Sequence, residues 1–260
     1  MTRQMTRRDV LKLLLAAAAV RCASGEEDPL RLAARPAPPA REGPTGSIEP
    51  LGLGEARDGA VYAAPAAANG APRPLLLLLH GAGGSGMRIL ARMQSEIALP
   101  GIVIAAPDSR GPTWDIVRGG AGPDVRFIDG ALRAVFGRYA IDRKRIAVAG
   151  HSDGASYALT LGLANGDLFS HAIAFSPGFL ALQHASRERP RIFIAHGRAD
   201  EVLSFDTTRE RIVAPLERAG YDVVFRPFDG GHTPKPEIVR EAMSWWSLPP
   251  RRRAAILPPS

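Results

Sequence analysis

The pentapeptide Gly150-His151-Ser152-Asp153-Gly154 follows directly on the apolar run Ile146-Ala147-Val148-Ala149. That junction confines the chain more than any other stretch. The run has strand length and no polar alternation, as in a strand buried on both faces of a parallel sheet. After the pentapeptide, residues 153 to 165 carry Ala155, Leu159, Leu161, Leu163 and Ala164, and Asn165-Gly166 forms a helix stop. The order is therefore strand, sharp turn, helix. A serine at such a turn sits in a strained backbone that lifts its hydroxyl clear of the sheet, and a Cβ at 150 or 154 would collide where strand and helix approach. Ser152 also lies at a helix N-terminus, where unpaired N–H groups favour the negative charge that develops in acyl transfer.

The chain of 260 residues is long enough for one sizeable α/β domain and shows no internal repeat. Its net charge of +7 comes almost wholly from scattered arginines, with lysine only at Lys12, Lys144 and Lys235. No stripe of basic and aromatic residues accompanies them, so no nucleic-acid partner is expected. Cys22 is the only cysteine, which leaves no intrachain disulfide and no Cys/His zinc cluster; neither metal nor cofactor is expected.

The first 24 residues, with Thr6-Arg7-Arg8-Asp9-Val10-Leu11-Lys12 before Leu13-Leu14-Leu15 and an alanine run, resemble a twin-arginine export signal. The apolar run is too short to span a bilayer stably, so the expected location is periplasmic or extracellular. Arg21 departs from the small residue that normally precedes a lipid-bearing cysteine, which disfavours an anchor at Cys22. Residues 25–46 are Pro-, Ala- and Arg-rich and aperiodic, and read as a disordered linker. The domain is expected over 47–248, followed by a basic, Pro-rich tail over 249–260 that includes Arg251-Arg252-Arg253.

Across that domain, strand patterns near 48–53, 61–63, 75–79, 102–106, 171–175, 191–195 and 221–228 alternate with helical ones at 87–98, 124–139, 205–219 and 236–246. Such alternation predicts a mostly parallel sheet covered on both faces.

A serine hydroxyl needs a base, and the base a third group that fixes its tautomer. Of six histidines, His232 fits best: it lies between the last strand and last helix, in Asp229-Gly230-Gly231-His232-Thr233, where two glycines let the loop reach back. Asp200, in His196-Gly197-Arg198-Ala199-Asp200, follows a strand and is the favoured acid, with Glu201, Asp206 and Asp229 as alternatives.

With these residues placed, the chain resembles the α/β-hydrolases, and within them the bacterial phospholipase/carboxylesterase group and the neighbouring feruloyl esterase and polyhydroxybutyrate depolymerase group. The shared stretches are Leu79-His80-Gly81-Ala82-Gly83-Gly84, Pro107-Asp108-Ser109-Arg110-Gly111, Trp114-Asp115, the run from Asp124 to the pentapeptide, His196-Gly197-x-x-Asp200 and Gly231-His232. They span residues 47 to 247. The resemblance implies an α/β-hydrolase fold and a serine carboxylesterase with Ser152, Asp200 and His232 as its triad. It also implies an oxyanion hole built from the N–H of Asp153 and an N–H of the glycine loop, here Ala82. Asp153 stands where relatives often carry Gln, Asn or Met.

The interval Pro177 to Pro190 is too short for a lid domain, so an open site is expected, walled by Trp114 and Phe179 with Leu180 and Leu182. Such a site suits a small-molecule ester or an exposed ester on a polymer. A peptidase using the same three residues, and a non-catalytic binding module on the same fold, are the alternatives.

Overall fold

The computed structural model describes residues 28–39, 41–66, 70–97, 99–182, 185–186 and 188–247. The expected signal segment, the tail over 249–260 and His184 lie outside them. Eight strands form one sheet: β1 (Ile48–Pro50), β2 (Gly59–Ala63), β3 (Arg73–Leu79), β4 (Val103–Pro107), β5 (Ile141–His151), β6 (His171–Phe175), β7 (Arg191–Gly197) and β8 (Val223–Phe228). Their order across the sheet is β1-β2-β4-β3-β5-β6-β7-β8. β2 runs antiparallel to both β1 and β4, and every other pair is parallel.

Helices cover both faces because each parallel connection must cross over the sheet. α1 (Gly86–Ile97) and α6 (Pro236–Ser247) pack on one face, where Leu76, Leu78, Ile104 and Phe193 meet Leu90, Met93, Ala242 and Trp246. α2 (Pro123–Arg138) and α3 (Asp153–Ala164) cover the other, where Leu75, Leu77, Leu79 and Val148 meet Ile128, Leu132, Leu159 and Leu163. The five-leucine run of β3 thus serves two cores by strand alternation. α4 (Phe205–Thr208), a π-turn at Arg209–Val213 and α5 (Ala214–Arg218) form one helical passage; Pro215, which has no N–H to donate, stands just after the widened turn.

β5 carries an irregularity at the polar stretch Asp142 to Arg145: Arg73 pairs with Ile141 and Leu75 with Ile146, so the extra residues bulge between them. One expectation is corrected, that of residues 25–46 as a disordered linker. From Asp28 onward the segment is instead part of the body, with Leu30, Leu32 and Ala34 each 2 % exposed and packed into the α2–α3 core. Alternating apolar residues face inward, while the backbone finds side-chain partners. Leu32 donates its N–H to Asn165 Oδ1 at 2.8 Å, Asn165 Nδ2 donates to the Leu30 carbonyl at 2.9 Å, and Ala33 and Ala34 both donate to Asp129 at 2.7 Å. Arg31 forks onto Asp167 at 2.9 Å and Arg35 bonds the same carboxylate. Composition alone suggested disorder; the period-2 pattern of Leu30, Leu32 and Ala34 is the signal that opposes it.

Candidate active site

β5 ends at His151, and Ser152 begins the turn with φ 59° and ψ −124°. Only Ser152 and Ser176 among the described non-glycine residues have positive φ. The steric case for the flanking glycines holds. A Cβ on Gly150 would lie 2.1 Å from the Gly154 carbonyl oxygen, and one on Gly154 would lie 2.3 Å from Leu79 O and 2.4 Å from His80 O. The turn therefore closes against its own helix on one side and the end of β3 on the other.

His232 Nε2 lies 2.8 Å from Ser152 Oγ, and His232 Nδ1 lies 2.8 Å from Asp200 Oδ2. The loop that brings His232 there folds over the end of β7. Arg198 N–H donates to the Phe228 carbonyl and Ala199 N–H to that of Gly230, and a Cβ on Gly197 would be 2.1 Å from Gly231 O. Gly197 is what permits that approach.

Asp200 is held from every side. Its Oδ1 accepts the N–H groups of Val202 and Leu203, each at 2.9 Å, while Oδ2 lies 2.8 Å from His232 Nδ1 and 3.0 Å from His196 Nε2. Burial works against the charged carboxylate, yet these bonds outweigh it and hold its pKa below the ordinary value. His196 has no exposed side-chain surface; its Nε2 also meets Leu203 O at 2.9 Å, and burial lowers its pKa. It is a fixed neighbour of the acid. Glu201, Asp206 and Asp229 do not reach His232; Asp206 and Asp229 face Arg209 and Arg198 at 3.7 and 3.9 Å.

Two further groups hold the His232 backbone, and the sequence pattern alone did not single them out. Ser176 Oγ donates to the His232 carbonyl at 2.8 Å, and His151 Nε2 approaches the same oxygen at 3.2 Å. Burial pushes the pKa of His151 down to about 4, so it is neutral at neutral pH and can donate that bond.

The glycine loop stands beside Ser152: a Cβ on Gly81 would be 3.2 Å from Ser152 Cβ. Among the described residues the N–H groups of Ala82 and Asp153 have no acceptor. The Asp153 carboxylate accepts the hydroxyl of Thr113 at 2.6 Å. The loop over residues 107–115 braces the glycine loop from behind. Gly83 donates to Pro112 O at 2.7 Å, Gly86 to Asp108 Oδ1 at 2.6 Å, and Ser109 N–H to His80 Nε2 at 3.0 Å. With Nε2 an acceptor, His80 carries its proton on Nδ1, 2.7 Å from Gly81 O; burial keeps the ring neutral by lowering its pKa.

The expected walls require correction. Trp114 is fully buried, donates its Nε1–H to His80 O at 2.8 Å and packs between His80 and Tyr157. It props the glycine loop and faces no cleft. Phe179 is half-buried and hangs from Ser156 Oγ by its N–H at 3.3 Å, outside the cleft that contains Ser152. Leu180 and Leu182 line a separate hollow beside Leu30. The cleft itself, about 320 Å³, runs from the glycine loop along α1, past Arg88, Ile89 and Arg92, to Ser152 and His232. The described residues between β6 and β7 form no helix or strand over it.

An eight-stranded, mostly parallel sheet in this order, with helices on both faces and a serine at the turn after β5, is the α/β-hydrolase fold. A family model described as "Putative esterase" matches residues 131–233, a stretch that includes Ser152, Asp200 and His232. Among solved structures, a substrate-bound fluorophosphonate-binding serine hydrolase of Staphylococcus aureus is 16% identical, with a TM-score of 0.60 over 78% of this chain and 99% of that one. A phospholipase/carboxylesterase of Dyadobacter fermentans is 21% identical, with a TM-score of 0.56 over 72% and 95%. A ferulic acid esterase of Anaeromyces mucronatus, solved with ferulic acid, is 15% identical, with a TM-score of 0.54 over 73% and 85%. No curated protein sequence matches. Family match and fold together support a hydrolase of the esterase kind.

Among the described residues no three His, Cys, Asp or Glu side chains group to hold a metal, and no helix is long and apolar enough to cross a membrane.

Proposed function

We propose that the protein is a serine carboxylesterase acting through Ser152, His232 and Asp200. The observation that carries this reading is the chain of two 2.8 Å contacts from Ser152 Oγ through the His232 ring to Asp200, at the mouth of an open cleft. His232 Nε2 takes the Ser152 proton as Oγ attacks the ester carbonyl, forming the C–O bond of a tetrahedral adduct. The N–H groups of Ala82 and Asp153 hold the oxyanion. His232 then protonates the departing alcohol as the old ester bond breaks. Water then gives a proton to His232 as its oxygen bonds the acyl carbon, and His232 returns that proton to Ser152 Oγ as the acyl–oxygen bond breaks and the acid leaves.

The neighbours' printed names, carboxylesterase and ferulic acid esterase, agree with an ester substrate. The cleft, over which the described residues place no helix or strand between β6 and β7, favours a small ester or one displayed on a polymer. We also propose that the N-terminal 24 residues export the protein; mass spectrometry of the N-terminus from the native host reads the cleavage.

Exchange of Ser152 for Ala tests the function: p-nitrophenyl acetate turnover and fluorophosphonate labelling should both vanish. Retained turnover in that variant removes Ser152 from the role. Turnover of peptide p-nitroanilides in preference to esters would instead identify a peptidase.

A further inference from the structure

Among the described residues, the charged side chains that line the cleft in front of Ser152 are all cationic. α1 begins at Gly86 and buries Ile89, Leu90, Met93 and Ile97 on the sheet. That spacing leaves Arg88 and Arg92, one helical turn apart, side by side on the exposed face. Both line the same cleft as Ser152 and His232, and no Asp or Glu lines it with them. Among the described residues neither guanidinium makes an ion pair or side-chain hydrogen bond. Some arginines elsewhere are tied down, as Arg31 is to Asp167, Arg191 to Asp222 and Arg226 to Glu241, while others such as Arg211 and Arg218 also make no ion pair among the described residues; what sets Arg88 and Arg92 apart is that they line the cleft of Ser152. Glu96, the next acidic residue along α1, faces the adjoining hollow with Arg92, and no contact within 4.0 Å joins the two. The carboxylate of Asp200 lies behind the His232 ring with no exposed side-chain surface, and its bonds are filled. Two unpaired, planar cations on the wall of an uncovered cleft form a fork for a carboxylate or phosphate.

We infer that the substrate is an ester carrying a second, anionic group, a carboxylate or phosphate within a few bonds of the scissile carbonyl, which Arg88 and Arg92 bind. The inference rests on the esterase reading above and names its substrate class. Both arginines are exposed, so solvent screens each contact. The preference they create is moderate per residue and falls with salt.

Two pairs of esters test it. In 4-nitrophenyl hydrogen adipate against 4-nitrophenyl methyl adipate the charge sits in the acyl half; in 4-acetoxybenzoate against 4-acetoxybenzamide it sits in the alcohol half. In the wild type the anionic member should be favoured in at least one pair, measured as the ratio of kcat/KM. Either Arg88→Gln or Arg92→Gln should lower that ratio about 5-fold, and both together about 20-fold, mainly through KM. Charge reversal in R88E/R92E should turn the preference against the anion. Ratios in both pairs that the substitutions leave unmoved would overturn the inference while leaving the esterase reading intact. If none of the four esters is turned over, the esterase reading fails instead. Calorimetric binding of adipate and of inorganic phosphate, expected in the wild type and lost in R88Q/R92Q, then reads the arginine pair without turnover. Binding that is absent, or equal in both proteins, overturns the pair's role.

Discussion

Ser176 donates its hydroxyl to the backbone carbonyl of His232 at 2.8 Å, from a residue held at φ 54°. A left-handed serine at the end of a parallel strand is costly, and the bond it makes fixes the loop that carries the imidazole. Replacing Ser176 with Ala should remove about 1 kcal/mol of loop restraint and lower kcat roughly 3- to 10-fold, with KM changed less. Thr at 176 would keep the hydroxyl but add a branch at positive φ, so it should express poorly. Steady-state kinetics on p-nitrophenyl acetate, beside a melting curve, separates the two effects.

Asp200→Asn should cost roughly 10³–10⁴ in kcat, because an amide no longer selects the tautomer with the proton on Nδ1. The same exchange removes an acceptor from His196 Nε2, 3.0 Å away, so a drop in melting temperature should accompany the kinetic loss. Activity within tenfold of wild type would take Asp200 out of the triad.

Gly154→Ala should fail as a fold before it fails as a catalyst. The new Cβ would press on Leu79 O and His80 O, both backbone, which have nowhere to move without displacing β3. A loss of about 3 kcal/mol or more in urea unfolding is expected. Full stability in this variant would mean that the turn is looser than described.

The segment around Leu32 belongs to the folded body. Leu32→Ala should destabilise by about 2–5 kcal/mol, as for other fully buried leucines. A chain beginning at 37 should lose more than one beginning at 28, since it also discards Leu30 and both arginines on Asp167. Melting temperatures of the two truncations check this.

Acid should destabilise the protein from about pH 6.5 downward. Burial sets the pKa of His151 and of His171 at about 4 in the folded state, against an ordinary value of 6.5. Between those values the unfolded chain binds more protons than the folded one, so stability falls as pH drops from 6.5 towards 4 and is unaffected above that window. The loss should be on the order of a few kcal/mol across it. Urea midpoints at pH 7, 6 and 5 measure the slope, and His171→Phe, which keeps an aromatic ring against Trp245, should flatten it.

Much of the scaffold was legible because its signals are local. The leucines of β3, the apolar end of β5 and the Gly-x-Ser-x-Gly turn each carry their reason within a few residues, and Asp200 and His232 follow from lying in loops after strands. What escaped depends on contacts distant in sequence. Trp114 looks like a wall residue until His80 O claims its N–H, 34 residues away. Leu30 and Leu32 sit in a Pro- and Arg-rich stretch whose composition hides an alternation that only Asn165 and Asp129 make structural. Ser176 has no local sign, since its partner is the backbone of residue 232. Arg88 and Arg92 show helical spacing, but nothing in the sequence reveals that their face borders Ser152.

The buried anchor at Leu30 also sets a leash. Residue 22 is eight positions upstream, which extended chain spans in at most about 28 Å. Whatever the intervening residues do, a group carried on Cys22 stays within that radius of the body, roughly two-thirds of the breadth of a domain this size. If the proposed N-terminal signal is cleaved, the cut falls upstream of Asp28, because one a few residues later would remove side chains that the interior is built around.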